Sequence, residues 1–219
     1  MTAWLLVAHI AVLGYWLGSE LVINSTYRYV CFSDATPFDE RARLMNHVMH
    51  VDQHVRYALV LQASLGMMLA ASYGLVPGGQ VAVAMAGGFG ALWLAFVEAV
   101  HRLRQQPIGA VLGKIDRASR YVLMATLVAL SLGLVGGTWP LPDWLRWKLA
   151  AFAGVIACGV GIRLALMAHF RTWTEMATSG VTPERNATIK ATYVRATGVL
   201  ILLWIFIAII VWLSVTKPS

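Results

Sequence analysis

The sequence predicts an all-α protein: a polytopic transmembrane helix bundle of about six helices, with residues 1–219 forming a single integral membrane domain. Three observations predict it: the composition, the recurrence of apolar runs and the placement of charge. Of the 219 residues, 59% are hydrophobic and 12% charged, whereas an ordinary soluble domain carries about 25% charged residues. A helix needs roughly 20 apolar residues to cross the hydrocarbon core. Such runs recur over residues 3–23, 55–73, 81–100, 121–137, 149–170 and 197–215. Helices satisfy their own backbone hydrogen bonds in lipid, and the period-2 alternation of a membrane barrel is missing from these runs.

The formal charge of +7 raises the question of nucleic acid, but its distribution points to the bilayer instead. Arg28, Arg41, Arg43 and Arg56 flank the first loop. Arg102, Arg104, Lys114, Arg117 and Arg120 flank the third, and Arg171, Arg185, Lys190 and Arg195 the fifth. The intervening side has Arg146, Lys148 and Lys217, and Arg163 falls inside a span. Basic loops stay in the cytoplasm, so both termini are expected outside it, in a bacterial-type inner membrane. Trp139, Trp144 and Trp147, interspersed with Pro140 and Pro142, read as an outer interfacial belt. The first apolar run lacks the basic start and small-residue cleavage site of a signal peptide and reads as a retained helix. Cys31 falls in the cytoplasmic part and Cys158 in a span, so no disulfide is expected between them.

An internal two-helix repeat is visible. Val51-Asp52-Gln53-His54-Val55-Arg56-Tyr57 and Ile115-Asp116-Arg117-Ala118-Ser119-Arg120-Tyr121 share the pattern apolar–Asp–x–x–x–Arg–Tyr. They are expected to open the second and fourth helices. The spans that follow end in Val100-His101-Arg102 and Ala168-His169-Phe170-Arg171. Repeat interfaces in membrane proteins often carry the site. Thr36-Pro37-Phe38-Asp39 and Thr182-Pro183-Glu184 each supply an N-cap threonine, a proline and an early acid. Helices two and six should therefore begin well before their spans. Gly78-Gly79 and Gly136-Gly137 mark outer turns, and Gly87, Gly88, Gly90, Gly154, Gly159 and Gly161 suit close helix packing in lipid.

Every histidine except His9 falls near the cytoplasmic ends of helices. His47, His50 and His54 are three and four residues apart, which places them on one helix face. Glu98 and His101 form an E-x-x-H pair, a known ligand spacing in metal-carboxylate bundles. Together these residues are the candidate ligands of a transition metal, iron, copper or zinc. His54, His101 and His169 are the candidates for holding a b-type haem, with Arg163 as an anchor for a propionate or a quinone oxygen. The plainer readings are interfacial anchoring for the histidines and an ion pair for Arg163, with Glu20 or Glu98 at similar depth. His9 sits in the outer half of the first helix and needs an internal partner or a ligand. At about 1.5 Å per residue it lies too far from the inner histidines to share one haem iron with them.

The opening Ala3-Trp4-Leu5-Leu6-Val7-Ala8-His9-Ile10, with Trp16-Leu17-Gly18 and Arg28 beyond it, resembles the copper-resistance D superfamily. That superfamily includes the bacterial membrane protoporphyrinogen oxidases. The resemblance covers about the first seventy residues and implies an association of His9 with haem. The stripe His47–His50–His54 and the repeat depart from it.

Three functions fit these features. One is a membrane redox protein, its histidines holding haem b or a metal and exchanging electrons with quinone or a partner membrane subunit. Another is a copper-handling transporter, for which Met67, Met68, Met85 and Met124 would supply soft ligands. The third is a non-catalytic membrane subunit of a larger complex.

Overall fold

A computed structural model of the chain describes residues 2–135, 137 and 141–218. It contains six helices: α1 (Thr2–Phe32), α2 (Phe38–Ser72), α3 (Gly79–Arg102), α4 (Pro107–Ser131), α5 (Asp143–Ser179) and α6 (Pro183–Thr216). All of these except α4 are long and apolar enough to cross a membrane. Large apolar side chains point outward, among them Trp4, Leu92 and Met85, each at least 70% exposed. Monomeric soluble proteins rarely expose apolar surface on this scale, whereas lipid solvates it. The chain is a multi-pass helical membrane protein.

The helices outrun the apolar runs that announce them. α2 begins at Phe38, directly after Pro37, and α6 begins at Pro183 with the Thr182 hydroxyl accepting the Arg185 N–H at 3.3 Å. Both repeat motifs consequently lie inside α2 and α4 rather than opening them. His169, expected at the end of a helix, is interior, because α5 continues to Ser179.

α4 ends short of the expected span. Its first half carries Lys114, Asp116, Arg117 and Arg120, and the helix stops at Ser131 rather than continuing through residue 137. Gly133 takes φ +71°, and the N–H of Leu134 reaches back to the Ala129 carbonyl, a glycine-terminated helix end. Arg146 covers the Ser131 carbonyl at 2.8 Å. Gly136, Trp139 and Pro140 of the expected outer turn and belt lie outside the described residues. Trp147 is exposed, and the Lys217 ammonium lies 5.9 Å from the Trp144 ring.

The chain divides into two compact units. The first comprises Met1–Ile23 and His47–Ser119. Within it Gln62 of α2 donates to the His9 carbonyl of α1 at 3.1 Å, and a Cβ on Gly66 would meet the His9 ring at 3.5 Å. α3 lies so close to α2 at Gly90 that a Cβ there would come within 2.6 Å of the Ser64 Cβ. Trp16, Ala58, Val60 and Val97 are buried in this unit. The two repeat motifs meet here, since Arg56 pairs with Asp52 at 3.2 Å and with the buried Asp116 at 3.9 Å.

The second unit comprises Asn24–Asn46 and Arg120–Ser219. α5 packs along α6, closest where Gly154 meets Phe206, 2.8 Å from the position a Cβ would take. Val155, Ile189, Leu200 and Leu203 fill its core. Cys31 and Cys158 are both free and buried.

Candidate functional site

In the first unit the polar stripe of α2 faces the end of α3. His50 and His101 stand with ring centroids 6.3 Å apart and planes at 71°. One turn further along α2, His54 Nδ1 shares a 2.5 Å hydrogen bond with the Tyr15 hydroxyl of α1. The His54 ring is 6.1 Å from that of Tyr57. Tyr57 in turn donates to the Glu98 carboxylate, which also accepts from Arg102. Gln53 ties the same face to α3 by donating to the Val97 carbonyl at 3.3 Å. The helical spacing of α2 thus sets His50, Gln53, His54 and Tyr57 along one side, and the E-x-x-H turn of α3 is aligned with it.

Tyr15, Tyr57, Leu61, Leu94, Ala95 and Glu98 line an open cleft of about 590 Å³. That lies inside the roughly 300–1,000 Å³ of small-molecule sites, which are typically apolar with a few placed polar groups.

The expected metal ligands are only partly assembled. His50, His54, Glu98 and His101 all lie along this α2–α3 seam, His50 and His54 at its exposed edge, and His47 is exposed as well. Among the described residues, no three His, Cys, Asp or Glu side chains converge on one point as metal ligands. The His50–His101 pair has the spacing of a two-imidazole site. Metal–nitrogen bonds of about 2.0–2.1 Å put opposed ring centroids about 6 Å apart. Glu98 lies one turn before His101 on α3, and Asp52 two residues after His50 on α2.

His9 is engaged elsewhere, its ring against Gly66 of α2. Gly66 is about three turns along α2 from His54, roughly 18 Å at the helical rise, so the two histidines cannot ligate one iron. Arg163 is exposed on α5. The expected carboxylate partners are held inside the first unit: Glu20 accepts from Trp16 at 3.3 Å, and Glu98 bonds Tyr57 and Arg102.

The second unit holds a polar cluster that sequence reasoning missed. Arg41 is completely buried, its Nε donating to the Val30 carbonyl at 2.9 Å and its Nη1 to Asn186 Oδ1 at 3.1 Å. Its guanidinium lies 5.7 Å from the Trp173 ring centroid. His169, also fully buried, stacks on Trp173 at 5.2 Å and 19° and shares a 3.0 Å hydrogen bond with Tyr27. A haem on His169 would have to displace these aromatic neighbours. Arg41 sits among Asp39, Glu40 and Arg43, a run that reads as a solvated helix start, and nothing in it signals burial. Tyr57 was within reach of the sequence, because it closes the repeated Asp–x–x–x–Arg–Tyr pattern.

No protein-family profile, curated protein or solved structure matches the chain.

Proposed function

We propose that the chain is a redox protein of a bacterial-type inner membrane, holding iron or copper, as haem b or as an ion, through His50 and His101. The observation that carries this reading is the facing of these two imidazoles across α2 and α3 at 6.3 Å. Neutral imidazole is the common ligand of both metals, and a site between two long helices is a usual place for a cofactor in a bundle. Glu98 and His54, on the same helices, are engaged by Tyr57 and Arg102 and by Tyr15 respectively, and would have to leave those bonds to serve as further donors. Zinc would suit the same residues but would perform no electron transfer.

The basic loops are cytoplasmic in this reading, which puts the histidine pair near the inner surface and both termini outside. Electrons pass to or from quinone or a partner membrane subunit. The resemblance of the first helix to the copper-resistance D superfamily belongs to the same proposal, with His9 in a supporting role rather than as an inner ligand.

Metal analysis of the purified chain tests it. Iron or copper near one equivalent per chain, lost in both His50→Ala and His101→Ala while the protein stays monodisperse, is the expected result. A chain without either metal, or one whose metal survives both substitutions, would overturn it.

A further inference from the structure

We infer that the first half of α4, with the turn that leads into it, is a binding surface for anionic phospholipid. Arg104, Lys114 and Arg117 hold the phosphate headgroup, and Ile108, Val111 and Ile115 lie against the acyl chains. The surface is separate from the histidine pair and takes lipid whether or not a metal is held there.

The first half of α4 presents three different sides. Gly109 and Asp116, seven residues apart and so on one side of the helix, face the protein. A Cβ on Gly109 would come within 2.8 Å of the Arg104 Cα, so the turn after α3 lies directly against α4 and holds Arg104 beside its first turn. Asp116 is buried and turned toward Arg56, 3.9 Å away. Ile108, Val111 and Ile115, three and four residues apart, make a second side, and each is at least 50% exposed. Lys114 and Arg117, three residues apart, make the third, and both are exposed, as Arg104 is.

The charge of this surface is not balanced from within. Asp116 is the only acidic residue between Glu98 and Asp143, and it points inward. Among the described residues, no carboxylate lies within ion-pair distance of Arg104, Lys114 or Arg117. The apolar stripe runs directly beside these cations, with Val111 one turn before Lys114 and Ile115 just after it. A purely anionic partner, such as a nucleic acid, would satisfy the cations and leave that stripe in water. An anionic phospholipid covers both. A helix with one apolar side and one side bearing Lys and Arg seats itself at the boundary of headgroups and acyl chains. The depth agrees: the Arg56–Asp116 pair sets this half of α4 level with the start of the apolar run of α2 at residue 55. In the topology proposed above this end faces the cytoplasm, where the leaflet is negatively charged.

The test titrates the full chain in a non-ionic detergent with phosphatidylglycerol or with phosphatidylcholine of the same chains, counting retained lipid by native mass spectrometry. Phosphatidylglycerol should be retained at least tenfold more tightly, and the preference should shrink as salt is raised. Removing the three cations together, Arg104→Gln, Lys114→Gln and Arg117→Gln, should abolish the preference, and Lys114→Gln alone should cut it about fivefold. The single variant keeps the test open should the triple one fail to fold. Arg28→Gln, Arg43→Gln and Arg195→Gln together remove the same charge elsewhere and should leave the preference intact. Val111→Ser with Ile115→Ser should weaken retention of both lipids. Equal retention of the two lipids by the wild type, or an equal loss of preference in the two triple variants, would overturn the inference. So would displacement of phosphatidylglycerol by inorganic phosphate at matched concentration, or retention unchanged by the two serine substitutions.

Discussion

Tyr57 of α2 donates its hydroxyl hydrogen to the carboxylate of Glu98 on α3, tying together two helices whose contacting residues lie 41 positions apart in the chain. The bond lies in the same stripe as His50 and His54, so it fixes the register in which the α2 histidines meet the Glu98–His101 turn. Arg102 adds a second bond to the same carboxylate, but its side chain is 76% exposed, and an exposed pair of this type contributes little to stability. Arg102→Ala should therefore leave the melting temperature of the purified protein unchanged, while Glu98→Ala lowers it. Equal losses in the two variants would show that the Arg102–Glu98 pair within α3, not the tyrosine bond between the helices, carries the stability.

Arg41 is expected to be the most sensitive polar residue of the second unit. Its removal in Arg41→Ala strips the Val30 carbonyl and Asn186 of their donor and opens a cavity under Trp173, at a cost of about 3 kcal/mol. Lysine cannot reproduce the forked geometry, so Arg41→Lys should rescue little. Thermal unfolding of the three proteins in the same detergent checks this, and a lysine variant as stable as the wild type would contradict the geometric role.

Close helix packing gives a contrast between two nearby glycines. A Cβ at Gly154 would overlap the Phe206 ring, whereas nothing lies within 4 Å of one at Gly159. Gly154→Ala should destabilise by about 1–3 kcal/mol and Gly159→Ala should not. Pairing Gly154→Ala with Phe206→Leu should recover most of the loss. Indistinguishable melting temperatures for the two single variants would mean that α5 and α6 are not in contact at Gly154.

The apolar runs made the helices legible, and the Thr182-Pro183 cap made the early start of α6 legible too. Their ends were harder, because an α-helix such as α5 continues into polar sequence whenever neighbours bury its far turns, as they bury His169 and Met176. The alignment of His50, His54, Glu98 and His101 followed from helical periodicity plus a shared depth. What periodicity cannot say is which arginine is buried. Arg163, inside an apolar run, is exposed, and Arg41, inside a charged run, is enclosed. Burial of Arg41 depends on α1, α5 and α6 each extending past its apolar run, as the Val30, Trp173 and Asn186 contacts show.

Membrane topology is checked by cysteine labelling in intact and lysed spheroplasts. The native Cys31 and Cys158 are buried, which keeps background low. Cysteines introduced at Thr2 and Lys217 should both label from outside and one at Arg104 only after lysis, as the basic loops require. Because the apolar part of α4 ends at Ser131, that helix is where the scheme is most exposed. Labels at Thr2 and Lys217 on opposite faces would mean that α4 does not cross.

The most direct measurement is a reduced-minus-oxidised absorbance spectrum of the purified chain, with haem and metal quantified per chain, repeated for His9→Ala and His101→Ala. One iron or copper centre per chain that His101→Ala removes and His9→Ala spares is the predicted result, since His9 packs on Gly66, roughly 18 Å along α2 from His54. A spectrum that His9→Ala abolishes and His101→Ala leaves intact, or a chain with no redox-active centre at all, would contradict the account.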